Sequence, residues 1–169
     1  MRPAPVLLLV CVVAALATAA LASAARPGPV EDGTLSVRDG RATIQLRVKG
    51  GVIGRLGSGK LTVTRQRGDT STVVVRGWDR SWDANARTTV YTGRNIRFRI
   101  DGDRRVTLKI HGSKINFSAV GRGDAALDGW GDPAKGVYFD GSYSLNGAPY
   151  KSLPDVRETL ELVAAPTDS

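Results

Sequence analysis

From residue 34 to residue 163 apolar and polar residues alternate in short runs, and glycines separate the runs. The clearest run is 41–49: Ile44, Leu46 and Val48 fall on one side, Thr43, Gln45, Arg47 and Lys49 on the other. Successive side chains of a strand point to opposite faces, so a period of two with one apolar face means a half-buried strand. The same reading puts Ile96, Phe98 and Ile100 inward with Arg97 and Arg99 outward. Val106, Leu108 and Ile110, then Ile115, Phe117 and Ala119, follow the pattern. Nowhere does a helical pattern persist for three turns. About ten short strands are expected, giving an all-β, single-domain antiparallel β-sandwich or small β-barrel, with a β-solenoid as the alternative.

The 20 glycines serve this reading, because tight turns need backbone conformations that other residues resist. Asp39-Gly40 and Asn146-Gly147 read as hairpin turns. Gly50-Gly51, Gly57-Ser58-Gly59 and Asp101-Gly102-Asp103 read as further turns. Residues 77–87, carrying Trp78 and Trp82, break the alternation and read as a longer loop or one helical turn. The segment Ile44-Gln-Leu-Arg-Val-Lys-Gly50 matches Val106-Thr-Leu-Lys-Ile-His-Gly112 position by position. Each copy leads to a Gly-x-Gly turn, at 57–59 and 121–123. Two hairpins obeying one physical rule explain the match slightly better than a duplication does.

The first residues are of another kind. Arg2 gives a positive start, Leu7 to Val13 form an apolar block, and Ala22-Ser23-Ala24 fits a small-x-small cleavage site before Arg26-Pro27. These are the parts of a secretory signal. The expected layout is a signal peptide over 1–24, a linker over 25–33, the β domain over 34–163 and a disordered tail over 164–169. An exported protein follows: secreted, periplasmic or envelope-associated, with no membrane span after cleavage. Cys11, the only cysteine, would leave with the leader, so disulfides and thiolate chemistry are not expected. An outer-membrane barrel would need two aromatic girdles, and aromatics make up only 6% of the chain.

Net charge is +8; losing Arg2 with the leader makes it +7. Arginine outnumbers lysine 18 to 6, a bias that high-GC bacterial coding explains better than function does, because the arginines are spread along the chain. Catalytic patterns are incomplete. Gly54-x-x-x-x-Gly59-Lys60 is followed by Leu61 rather than a hydroxyl residue, and no helix is expected after it. Gly121-x-Gly123-x-x-Ala126 also lacks a following helix. His111 is the only histidine, so hydrolytic triads and histidine metal clusters lack material. No cofactor or metal is expected, and no nucleic-acid partner. Arg67-Gly68-Asp69 and Arg122-Gly123-Asp124 resemble the integrin-recognition tripeptide over three residues each, and turn chemistry accounts for both.

Two binding functions are left. Arg47, Lys49, Arg97, Arg99, Arg104, Arg105 and Lys109 project outward or from turns. If their strands are neighbours they form a basic face for an anionic envelope polymer or glycan, since arginine grips phosphate and carboxylate bidentately. Trp78, Trp82, Trp130 and Tyr138 sit in or beside loops, where aromatic rings stack on sugars; this is the alternative, a carbohydrate-binding module. A non-catalytic envelope or extracellular protein with affinity for anionic polymers is the expected function.

Overall fold

In the computed structural model, which describes residues 32–131 and 140–164, two strands are far longer than a domain of this size is wide. β1 (Gly33–Thr64) has 32 residues. β4 (Thr88–Gly129) has 42. At a rise of about 3.3 Å per residue β1 alone would extend about 105 Å. A domain of this size is about 30–35 Å across. Both strands must therefore bend, and the register shows how.

Thr43 lies opposite His111 on one edge and Asp128 on the other, and Lys60 lies opposite Thr92 and His111. The same two strands pair with each other along both edges, with partners offset by 17 to 19 residues. That pattern requires a two-stranded antiparallel ribbon wound into a coil, one turn every 17 to 19 residues. The remaining strands extend it. β2 (Thr72–Arg76) and β3 (Arg80–Asn85) pair with β4; β5 (Ser142–Leu145) pairs with β1, β6 (Lys151–Ser152) with β5, and β7 (Glu158–Leu162) with β4. The result is one antiparallel sheet, not closed, wrapped round one core, consistent with a sandwich or barrel-like fold. Among the described residues there is no helix, hence none long and apolar enough to cross a membrane.

Glycines mark the bends, and they meet across the ladder. Gly50 lies opposite both Gly102 and Gly121, and Gly59 opposite both Gly93 and Gly112. Gly123, at φ +154°, shows why: a Cβ there would collide with the carbonyl oxygen of Arg47 on the neighbouring strand. The backbones approach too closely at the corner for any side chain.

Several turn expectations are corrected on this point. The short segments read from the sequence are present as straight stretches, but the glycine pairs inside β1 and β4 bend the ribbon instead of reversing it. Asp39-Gly40 is not a hairpin. Val37 faces Phe117 and Gly40 faces Ile115, so β1 spends one extra residue there, a β-bulge with Asp39 at φ 50°. Residues 77–87 are mainly a strand, β3, rather than a loop or helical turn, because Arg80 to Asn85 find partners on Thr88 to Thr92. Asn146-Gly147 does turn the chain, both residues having positive φ and Ala148 N–H donating to the Leu145 carbonyl at 3.0 Å. Arg67-Gly68 also forms a turn, whereas Arg122-Gly123 is a bend within β4.

The core is the inward half of the alternation. Ile44, Leu46, Val48, Ile96, Phe98, Ile100, Val106, Leu108, Ile110, Ile115, Phe117 and Ala119 are all buried. The matched segments 44–50 and 106–112 lie side by side and antiparallel, Leu46 facing Leu108. The expected leader over 1–24 lies outside the described residues.

Candidate functional site

Because the ribbon turns once in about 17 residues, outward side chains half a turn apart emerge on opposite sides of the coil. One side is built from residues 35–38, 51–55, 72–76, 97–101 and 116–120. The pairing sets its rows directly. Ser36, Ser118, Ile53, Arg99 and Val74 lie opposite one another in sequence across five passes of β1, β4 and β2. Two residues along, Asn116, Arg55, Arg97 and Arg76 form the next row. Three arginines thus stand on three adjacent strands, about 4.8 Å apart at the backbone.

An open groove of about 850 Å³ runs over these rows. Its lining includes five arginines (Arg38, Arg55, Arg76, Arg97 and Arg99) and no acid. The turn at Asn146-Gly147 carries Tyr150 to one wall, where the Arg38 guanidinium carbon lies 4.1 Å from the ring centre, within cation–π range. Gly54 shapes the floor: a Cβ there would stand 2.6 Å from the Phe98 ring and 2.5 Å from Phe117. A smaller hollow of about 190 Å³ adjoins the groove, lined by Arg55 and Arg97 together with Lys114 and Asp39.

The nearby acids are engaged elsewhere or held loosely. Asp39 exchanges hydrogen bonds with Asn116, accepting at 3.3 Å from its amide and donating its own backbone N–H at 3.2 Å. Asp101 sits 4.0 Å from Arg99, both side chains about two-thirds exposed, a pair of little energetic weight. Among the described residues, none of Arg55, Arg76 and Arg97 forms an ion pair. Like charges directly opposite on neighbouring strands are destabilising. At about 4 Å in water the repulsion is about 1 kcal/mol per pair.

The seven basic residues expected to share a face do not all meet. Arg97 and Arg99 lie in the groove. Arg47 and Lys109 are on the other side of the coil, Arg47 between Asp124 and Thr107, Lys109 between Gln45 and Thr62. Lys49 pairs with Arg122 beside the Gly50 corner, and Arg122 binds Asp32 at 3.0 Å. Arg104 and Arg105 follow the Gly102 bend, Arg104 donating to the Arg67 carbonyl at 3.1 Å. The sequence reading missed Arg38, Arg55 and Arg76. Each is outward in its own short run, but only the register brings Arg55 and Arg76 beside Arg97 and Arg38 to the end of the same groove.

The tryptophans are partly exposed and none lines the groove. Trp78 packs against Tyr91 with ring centres 6.5 Å apart. Trp82 stands on β3 opposite Val90. Trp130 covers His111 at 4.5 Å and donates its indole N–H to Thr43 Oγ1 at 3.2 Å, and His111 Nδ1 also bonds Thr43 Oγ1, at 2.9 Å. Tyr138 lies outside the described residues. Among the described residues no group of histidines, cysteines and acids is arranged to hold a metal ion. Comparisons with protein-family models, curated proteins and solved structures find no match to this chain.

Proposed function

We propose that this is a non-catalytic binding protein for anionic polymers, exported on residues 1–24 and acting in the cell envelope or outside the cell. The observation that carries the reading is the row Arg55, Arg97, Arg76 in a groove lined without acid. Three guanidinium groups on adjacent strands repel one another, and an anion laid across them turns that repulsion into attraction. The planar five-donor fork of arginine matches phosphate and carboxylate oxygens better than lysine does. The leader-like start and the +7 charge expected after its removal support an exported partner for acidic polymers.

The test is calorimetric titration with inorganic polyphosphate at low and high salt. Binding that weakens steeply as salt rises is expected, because released counter-ions drive it. Absence of binding at low salt overturns the reading. A second reading rests on Trp82, which is 48% exposed on the edge strand β3 and offers an indole face to a sugar ring. It requires a neutral oligosaccharide that shifts tryptophan fluorescence and loses its effect in Trp82→Ala.

A further inference from the structure

The arginine side of the coil is not purely basic. Of the eight large hydrophobic residues exposed on the described chain, four gather on it: Ile53 at 57%, Val120 at 48%, Tyr150 at 40% and Val74 at 39%. Single exposed apolar residues need no explanation. These are not scattered. Ile53 and Val74 flank Arg99 in one row, and Val120 stands two residues beyond Ser118 on the neighbouring strand. Ile53, Val120, Arg99 and one acid, Asp101, line a further hollow of about 230 Å³ that continues the groove. The face therefore has two parallel bands. The apolar band, Val120, Ile53 and Val74, is broken by Arg99, which stands between Ile53 and Val74. A cationic band runs through Arg55, Arg97 and Arg76, with Arg38 and Tyr150 at its end.

A fully charged polymer engages the arginines and leaves Ile53 and Val120 uncovered, whereas a polymer or single molecule whose anionic groups carry alkyl chains covers both; a neutral hydrophobe has no use for three arginines side by side. We propose that the ligand of the groove is an anionic amphiphile, an alkyl chain ending in a phosphate or carboxylate. Its head lies on Arg55, Arg97 and Arg76, and its chain lies against Ile53 and Val120, which line one hollow. The inference rests on the reading of this groove as an anion site and names the chemistry of what enters it. The two bands are one residue pair apart along each strand, roughly 7 Å, a separation that a head group and the first few carbons of one molecule span.

The experiment is a titration series on the wild-type protein with n-alkyl phosphates from ethyl to octyl, each below its micelle concentration, with inorganic phosphate and polyphosphate as headgroup-only probes. A fully buried methylene tightens binding about fourfold, and an open groove gives about half that on a logarithmic scale, near twofold. A twofold to fourfold fall in Kd per added methylene is expected, ending in a plateau when the apolar band is covered. Ile53→Ser is expected to flatten the slope, with thermal melting run alongside to show the variant folds. Binding of phosphate or polyphosphate with no dependence on chain length overturns the amphiphile while leaving the anion site intact. Binding by none of the anions overturns both. Co-sedimentation with phosphatidylcholine vesicles containing phosphatidylglycerol separates the sources. Binding to vesicles without a chain-length slope for the monomers makes this face a membrane-contacting surface and overturns the single-molecule groove.

Discussion

The two outer sides of the coil are made from the same two strands, half a turn apart, and they carry charge in opposite ways. On the side of residues 42–48 and 106–112, cations are interleaved: Arg47 has Asp124 across from it, Glu161 lies beyond, and Lys109 sits between Gln45 and Thr62. On the side of residues 51–55 and 97–101, Arg55, Arg97 and Arg76 are direct neighbours. Both sides rest on one core with the same alternation, so folding needs neither arrangement. On the interleaved side the cations face acidic or neutral partners, and on the stacked side like charges face one another, which opposes folding. A local arrangement that opposes folding points to a task beyond it.

The comparison breaks most completely if the corners fail. Gly123→Ala forces a side chain into the Arg47 carbonyl and is expected to cost about 3 kcal/mol or more. Gly51→Ala meets no atom within 4 Å and serves as its near-neutral control; thermal melting reads both. Affinity separates the sides next. Arg97→Gln is expected to weaken polyphosphate binding about tenfold or more, the lower end of the 1.5–3 kcal/mol of a charge-assisted hydrogen bond, whereas Arg47→Gln changes it less than twofold. Stability then moves the other way. Arg97→Glu relieves two like-charge contacts and is expected to raise stability by about 0.5–1 kcal/mol at low salt, a gain that shrinks as salt screens it. The same exchange at Lys109 stays within about 0.5 kcal/mol. A destabilised Arg97→Glu would mean the arginine row is structurally required, and the contrast between the sides would lose its meaning.

Much of the fold was legible because burial follows local alternation. Every residue of the Ile44, Leu46, Val48 run is buried as its period demands, and so is every one of Ile96, Phe98 and Ile100. What the glycines do was not legible. Asn146-Gly147 reverses the chain, while Asp39-Gly40 and Gly50-Gly51 bend it, and the local chemistry of all three permits either outcome. The choice is made by pairing with residues 50 or more positions away, as between Gly50 and Gly102 or Val37 and Phe117. The site suffered for the same reason. Arg97 and Arg99 stood out in a long clean alternation. Arg55 sits in a short run broken by Gly54, and Arg76 ends one, so only the register could place them beside Arg97. Arg47 and Lys109 looked equivalent to the groove arginines in sequence, and the half-turn of the ribbon sends them to the other side.

The most direct measurement is an amide chemical-shift map of the isotopically labelled protein during titration with polyphosphate. Shifts are expected to concentrate at residues 36–38, 53–55, 74–76, 97–99 and 116–118, with residues 43–47 and 107–111 nearly still. Equal shifts on both sides of the coil, or a set centred on Arg47 and Lys109, would contradict the groove as the anion site.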